Sequence, residues 1–268
     1  ASKGDILPIS WQAMNHDEEL SNPQLDPVIV ILTDALQLAN RPGKLVDAIV
    51  KIKHTFPSSL LWTPGIGGPD NCAVLTWFGV DLFDTTRSLQ AESAGAVLTW
   101  NGPRMTQDND LEVDHWTYAL NEVRSAISSK KLRELAVAQS LSSPRLVEHM
   151  RYHDKVVGRQ DGILEMVVGE STNLQINSIE SHDDPIICDW VEFITNRYIK
   201  PSSLDEVLIL LPCSARKPYS RSKSHKNFKN AIAHNAAHEV MITSPLGLVP
   251  RDLEAVWPAG RYDIPVTG

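Results

Sequence analysis

The densest chemistry in the chain lies in one stretch, Pro212-Cys213-Ser214-Ala215-Arg216-Lys217-Pro218-Tyr219-Ser220-Arg221-Ser222-Lys223-Ser224-His225. It brings together a thiol (Cys213), an amine (Lys217), a phenol (Tyr219) and an imidazole (His225). A thiolate is a strong nucleophile whose free pKa of about 8.5 falls beside cations, and Arg216 and Lys217 are such neighbours for Cys213. The imidazole and the phenol are groups able to donate or accept a proton in a transition state. No acidic residue occurs between Glu206 and Glu239, whereas Arg216, Lys217, Arg221, Lys223, Lys226 and Lys229 all do. An anion-binding reactive loop follows from that combination. The competing reading is structural, since a free cysteine is often a small buried hydrophobe and a basic run a solvated face.

Several elements must position this loop. Residues 207–211 form an unbroken apolar run, which predicts a strand buried on both faces. Pro212 ends it, having no N–H for a ladder. The loop then leaves the carboxyl edge of an inner strand, where ligands sit in open α/β sheets. Further strands at 238–243 and 262–266 would give three parallel βα-type units, their loops starting at Pro212, Ser244 and Thr267 on one sheet edge. In the second loop Ser244 and Gly247 allow close backbone approach, and Arg251 at the next helix could hold a phosphate or carboxylate. A helix at 185–198 precedes them, capped by Asp183 or Asp184. Upstream, residues 1–27 are polar and proline-punctuated, which predicts a lead-in with little regular structure. Strands at 28–32, 60–62 and 80–83 alternate with helices at 44–54 and 69–78, the pattern of parallel βα units. An edge strand is expected at 96–100, helix from 115 to 156 with Pro144 near a helix start, and extended chain at 163–176. A polar join near 177–184 marks the domain boundary, and the fold class is α/β.

The bulk numbers exclude several classes. A length of 268 residues fits about two domains, and 42% apolar with 22% charged residues is ordinary for a soluble globular chain. No apolar run approaches the ~18–20 residues needed to span a bilayer, and the N-terminus lacks a leader pattern, so a cytoplasmic protein without membrane contact is expected. Three scattered cysteines argue against a disulfide framework and against a thiolate-rich zinc site. With a net charge of −8, any polyanion must be met locally, and 216–229 is the obvious place. The pairs His149/His153 and His234/His238 have helical metal spacing, but Met150 and Asn235 stand where a zincin glutamate would be. The glycine-rich turn at 63–71 lacks the Gly-Lys-Ser/Thr of a phosphate loop. No metal and no cofactor are expected. Asp81 and Asp84 flank a strand end and are either catalytic or turn caps.

The spacing Pro212-Cys213, three residues, Lys217-Pro218-Tyr219, two residues, Ser222, two residues, His225 resembles the signature of the archaeosine synthase family, paralogues of tRNA-guanine transglycosylases. Residues 79–87, with 44–52 and 64–69, are similar to the last βα units of the transglycosylase barrel, and 115–134 to the segment after that family's zinc site. The resemblance implies a partial transglycosylase-like βα barrel segment at 28–178 without the zinc site. A small Rossmann-like or flavodoxin-like parallel-sheet domain at 179–268 follows. Asp84 stands where the transglycosylase nucleophile would be. The family's clustered zinc cysteines and earlier barrel strands are absent, so base exchange is not expected. The implied substrate is tRNA bearing 7-cyano-7-deazaguanine, and the implied reaction adds an amine, with lysine as donor, to the nitrile. A radical S-adenosylmethionine enzyme is the implied partner subunit, and this chain resembles a short form completed by another chain or by a homo-oligomer.

On this resemblance Cys213, Lys217, Tyr219, His225 and Asp84 form the catalytic set. Ser222, Ser244, Gly247 and Arg251 contact substrate, while Arg216, Arg221, Lys223, Lys226 and Lys229 meet tRNA phosphates. Either Cys213 attacks to give a thioimidate that the amine displaces, or the amine attacks directly and Cys213 only shapes the pocket. In both schemes His225 or Tyr219 is the proton donor, and Asp84 binds the donor ammonium or acts as base. The alternative from another class is a non-catalytic subunit that presents tRNA.

Overall fold

In a computed structural model of the chain, the described residues are 4–22, 25–41, 43–106, 113–157, 173–176, 182–204, 206–232 and 236–264. They fall into two compact units, Ala1–Gln160 and Asp161–Gly268. No helix among the described residues is long and apolar enough to cross a membrane.

The first unit is built on three parallel strands, β1 (Ile6–Ile9), β2 (Ile29–Leu32) and β3 (Leu60–Trp62), in that spatial order. The expectation of an irregular 1–27 fails here. Ile6 pairs with Ile29, α1 (Trp11–His16) follows with Ser10 as its cap, and Ile9, Met14 and Leu20 are buried. Pro8 is compatible with a strand because β1 is an edge among the described strands, where a missing donor costs little. After α2 (Ala35–Ala39), α3 (Lys44–Thr55) turns Leu45, Ile49 and Ile52 inward at helical spacing, as expected. α4 (Cys72–Phe78) follows the glycine-rich turn. The strand expected at 80–83 shrinks to a single parallel bridge, Trp62 with Leu82. Then come α5 (Thr86–Ser93) and an antiparallel hairpin of β4 (Ala96–Thr99) and β5 (Gly102–Met105), a ladder separate from the three-stranded sheet. Three helices complete the unit: α6 (His115–Ser128), α7 (Leu132–Ser140) and α8 (Pro144–Val157).

α4 begins with backbone N–H groups that a helix cannot satisfy itself. The buried Gln139 of α7 supplies the missing acceptor, its Oε1 accepting from Ala73 (2.8 Å) and Val74 (3.3 Å). Its Nε2 donates to the Pro69 carbonyl at 2.9 Å.

In the second unit, β6 (Leu174–Gln175) precedes α9 (Pro185–Asn196), whose Asp184 cap accepts from Ile186 N–H at 2.9 Å. β7 (Leu208–Pro212), α10 (Lys223–Ala231), β8 (His238–Thr243), β9 (Gly247–Pro250) and β10 (Tyr262–Asp263) follow. The sheet runs β7-β8-β9, parallel between the first pair and antiparallel between the second. Three parallel βα units are therefore not what forms. Ser244 opens a tight hairpin turn, in which Gly247 has φ +69°, and β10 pairs with β6 instead. The strand carrying the reactive loop is also not buried on both faces. β7 is an edge among the described strands, Leu208 and Leu210 are more than half exposed, and Leu211 is buried. The architecture is mixed α/β with parallel strands and no closed barrel among the described residues. Most of 163–176, the join at 177–181, His234 and residues 265–268 lie outside the described residues.

Candidate active site

β7 and β8 run in parallel, with Pro212 beside Ile242, so the loop after β7 and the turn after β8 leave the sheet at the same end. Cys213 is exposed at the start of that loop. Lys217 is half-buried, its Nζ 4.0 Å from the centroid of the Tyr262 ring. Burial pushes its ammonium below the ordinary lysine range, opposed by the negative charges of Asp263 and a Cys213 thiolate. Burial likewise raises the phenols of Tyr219 and Tyr262, with a Cys213 thiolate among the smaller influences on both. Lys217, Tyr262 and Tyr219 thus stand in direct succession, nitrogen on ring and hydroxyl on hydroxyl.

Behind the surface lies a chain of hydroxyls. Tyr219 is fully buried, and its hydroxyl meets that of Tyr262 at 2.5 Å, which in turn meets Thr243 Oγ1 at 2.5 Å. Thr243 Oγ1 donates to the Ser244 carbonyl at 3.3 Å. A carbonyl only accepts, so the sense of the chain is set: Tyr219 donates to Tyr262, and Tyr262 to Thr243. The Tyr219 proton is spent inward, which leaves its oxygen as an acceptor.

His225 lies inside α10 with 1% of its surface exposed. Ser222 caps that helix, its Oγ accepting the His225 N–H at 3.2 Å. Arg251 Nη2 donates to His225 Nδ1 at 3.0 Å. A guanidinium carries no acceptor, so neutral His225 holds its proton on Nε2, a buried atom that makes no hydrogen bond of good geometry among the described residues. Burial, then the Arg251 charge, pushes the imidazole below its ordinary range, partly offset by the nearby Pro212 carbonyl.

Arg251 opens a short 3-10 turn rather than an α-helix. Its Nε and Nη2 donate to Glu239 Oε2 (2.9 and 2.7 Å) and its Nη1 to Glu254 Oε2 (2.9 Å). Glu254 Oε2 also accepts the Ser220 N–H at 3.0 Å. The carboxylate expected for Arg251 is thus already supplied from within, and the arginine ties β8, α10 and the 219–221 turn together. Ser244 Oγ sits 3.3 Å from His182 Nε2. On the outside, Arg216, Arg221, Lys223, Lys226 and Lys229 are all exposed, the three lysines at i, i+3, i+6 on α10.

Asp84 belongs to the first unit. It accepts from Trp62 Nε1 (3.2 Å), Gly65 N–H (2.9 Å) and Thr86 N–H (2.9 Å). Burial raises its pKa, but the hydrogen bonds from Thr86, Gly65 and Trp62 outweigh it and hold the carboxyl below its ordinary range. Asp81 binds Lys53 Nζ (2.9 Å) and Leu61 N–H (2.8 Å). His149 and His153 are buried in α8, His153 stacked 4.6 Å from Phe78. No group of three or more metal-ligating side chains occurs among the described residues.

Sequence reading missed Tyr262, Thr243, Glu239 and Glu254. Tyr262 and Thr243 were seen only as strand residues, and nothing in their spacing from Tyr219 announces a contact. The one available signal is a carboxylate, Glu239, directly before the apolar run Val240-Met241-Ile242, where a partly covered charge calls for a cation.

Residues 187–268 match a domain of unknown function (DUF5591). The chain is 32% identical over 279 residues to archaeosine synthase subunit alpha of Thermoplasma acidophilum, covering 99% of this chain and 52% of that protein. It is 30% identical to archaeosine synthase of Haloferax volcanii (89% of this chain, 44% of that protein). Archaeosine synthase of Methanocaldococcus jannaschii is also 30% identical (99% and 45%). The chain spans about half the length of the curated relatives it matches. The resemblance carried by the 212–225 spacing therefore extends along most of the chain.

Proposed function

Starting from a similarity to archaeosine synthases that runs through nearly the whole chain, we propose that this protein acts in archaeosine formation in tRNA. Its reaction adds an amine to the nitrile of 7-cyano-7-deazaguanine. The observation that carries the reading is the exposed Cys213 and the half-buried Lys217 on one loop, followed by the basic helix α10.

The chemistry balances with these groups alone. Lys217 takes the proton of Cys213, giving a thiolate and an ammonium. The thiolate sulfur attacks the nitrile carbon, one C–N π bond breaks, and the ammonium protonates the nitrogen, giving a thioimidate. Neutral Lys217 then accepts a proton from the incoming amine as its nitrogen attacks that carbon. The C–S bond breaks, the thiolate leaves, and an amidine remains. A lysine amine with a lowered pKa suits both transfers, and burial of Lys217 acts in that direction. His225 and Tyr219 serve this scheme from behind, as a positioned imidazole and a phenol whose proton is directed inward. Arg216, Arg221, Lys223, Lys226 and Lys229 meet the tRNA backbone, and Ser222, Ser244, Gly247 and Arg251 shape the base pocket.

The relative from T. acidophilum is named a subunit, and we carry that here as a partner chain, a radical S-adenosylmethionine enzyme that releases the product. A cytoplasmic location and a barrel-derived first unit belong to the same reading. The test is to incubate the protein with nitrile-bearing tRNA and isotopically labelled lysine and weigh the released nucleosides. A base gaining the mass of lysine, lost in Cys213→Ala, supports the reading. An unchanged base with retained tRNA binding would favour the non-catalytic presenting subunit. Turnover persisting in Cys213→Ser without a covalent tRNA adduct would remove the thioimidate and leave direct attack.

A further inference from the structure

The amine at the centre of this chemistry sits on a long flexible side chain, and a half-exposed lysine is free to leave its place unless something holds it. We infer that Tyr262 is a positioning residue for Lys217, its ring face holding the lysine nitrogen in place on the reactive loop, with the packing around the ring, more than its hydroxyl's bonds to Tyr219 and Thr243, keeping that face fixed. This inference rests on the amine-adding reading for its catalytic meaning, and on geometry alone for its structural content.

Three observations carry it. The Nζ–centroid distance of 4.0 Å is well inside the ~6 Å range over which a ring quadrupole attracts a cation. The Tyr262 ring has 1% of its surface exposed, so its inner side is packed. Its hydroxyl is held from two directions at 2.5 Å, by Tyr219 and by Thr243, on two different segments. A lysine packed on a fixed aromatic face keeps its nitrogen in a narrow region. Among the described residues, the charged groups that act on Lys217 are Asp263 and Cys213, and its nitrogen lies over the Tyr262 ring.

The test separates ring from hydroxyl and structure from catalysis. In the first arm, with no tRNA present, Lys217 is labelled with an amine-selective reagent across pH and quantified by peptide mass. In the parent protein and in Tyr262→Phe, which keeps the ring, Lys217 titrates below the other surface lysines. In Tyr262→Leu the side chain swings into water and titrates with them. In the second arm the amine-adding rate is followed. Tyr262→Leu lowers kcat about 10–100-fold with little change in the KM for tRNA, while Tyr262→Phe stays within about threefold of parent. Equal labelling curves for parent and Tyr262→Leu would overturn the inference. So would equal loss of rate in Phe and Leu variants, because only the hydroxyl would then matter. If Tyr262→Leu fails to fold, Tyr262→Met removes the ring face while keeping a long apolar side chain, and a Lys217 labelling curve equal to parent in that variant overturns the inference. A labelling result as expected in a protein that never modifies tRNA would uphold the positioning and sink the proposed function.

Discussion

Replacing Arg251 with methionine is the sharpest test of how the second unit holds its loop. The guanidinium makes four hydrogen bonds, two to Glu239 and one each to Glu254 and His225. Methionine keeps much of the aliphatic stem and removes every one of them. The side chains of Glu239 and Glu254 retain 18% and 9% of their exposure, so both lose their cation in a mostly dry setting. Breaking a buried ion pair from one side costs about 3–5 kcal/mol. Arg251 is itself 25% exposed, so screening by water reduces this to about 2–3 kcal/mol. That corresponds to roughly 30–150-fold in the opening equilibrium. Native-state hydrogen exchange should show this acceleration at amides of α10, β8 and the 219–221 turn, with amides of the first unit as the internal control. Pairing the change with Glu239→Gln should give a coupling of about 1–3 kcal/mol, since the two side chains share bonds. A loss below about 1 kcal/mol, or equal acceleration in both units, refutes the claim that this arginine ties β8, α10 and the turn together.

Two further outcomes concern the first unit. Asp84→Asn should cost about 1–2 kcal/mol at neutral pH in urea unfolding, because Trp62, Gly65 and Thr86 donate to an ionised carboxylate. The folded carboxyl titrates below its ordinary 3.8, so its contribution is complete above that value and is lost as pH falls through the folded one. The difference between parent and variant should therefore begin to shrink only as pH falls below about 4 and close below the folded pKa; a difference that persists unchanged to the lowest pH at which both stay folded would refute the ionised role. Gly68→Ala places a methyl 2.5 Å from Asp70 Oδ1, 2.6 Å from Arg87 and 2.8 Å from Leu98. It should displace the bidentate Arg87–Asp70 pair and lower stability by about 1–3 kcal/mol, whereas Gly65→Ala meets no steric contact and suffers only its φ of +76°.

Much of the α/β pattern was legible because its signals are local. The inward face of α3, the Asp184 cap of α9 and the run 238–243 each announce themselves within a few residues. β1 did not, since four residues containing a proline become a strand only by pairing with β2 across the chain. The reversal of β9 was hidden because Ser244-Pro245-Leu246 is not a usual hairpin turn and reads equally well as a loop into a helix. The run 207–211 is apolar at every position, so its one-sided exposure left no trace in composition. In the reactive loop the residue types were legible from spacing. Their supports were not: Tyr262, Glu239 and Glu254 reach it through tertiary contacts that no sequence period encodes.

Gln139 gives the first unit an unusual dependency in time. α4 receives its opening acceptor from a side chain 66 positions further along the chain. During synthesis the stretch from the glycine-rich turn through α4 must stand incomplete until α7 has been made and has docked. A fragment that stops short of Gln139 leaves two amides of α4 without that acceptor, together with the Pro69 carbonyl that it also engages. The turn that supplies Gly65 to Asp84 lies immediately upstream of that helix. Removing the three C-terminal helices of the unit should therefore loosen a strand-end carboxylate whose hydrogen bonds come from Trp62, Gly65 and Thr86.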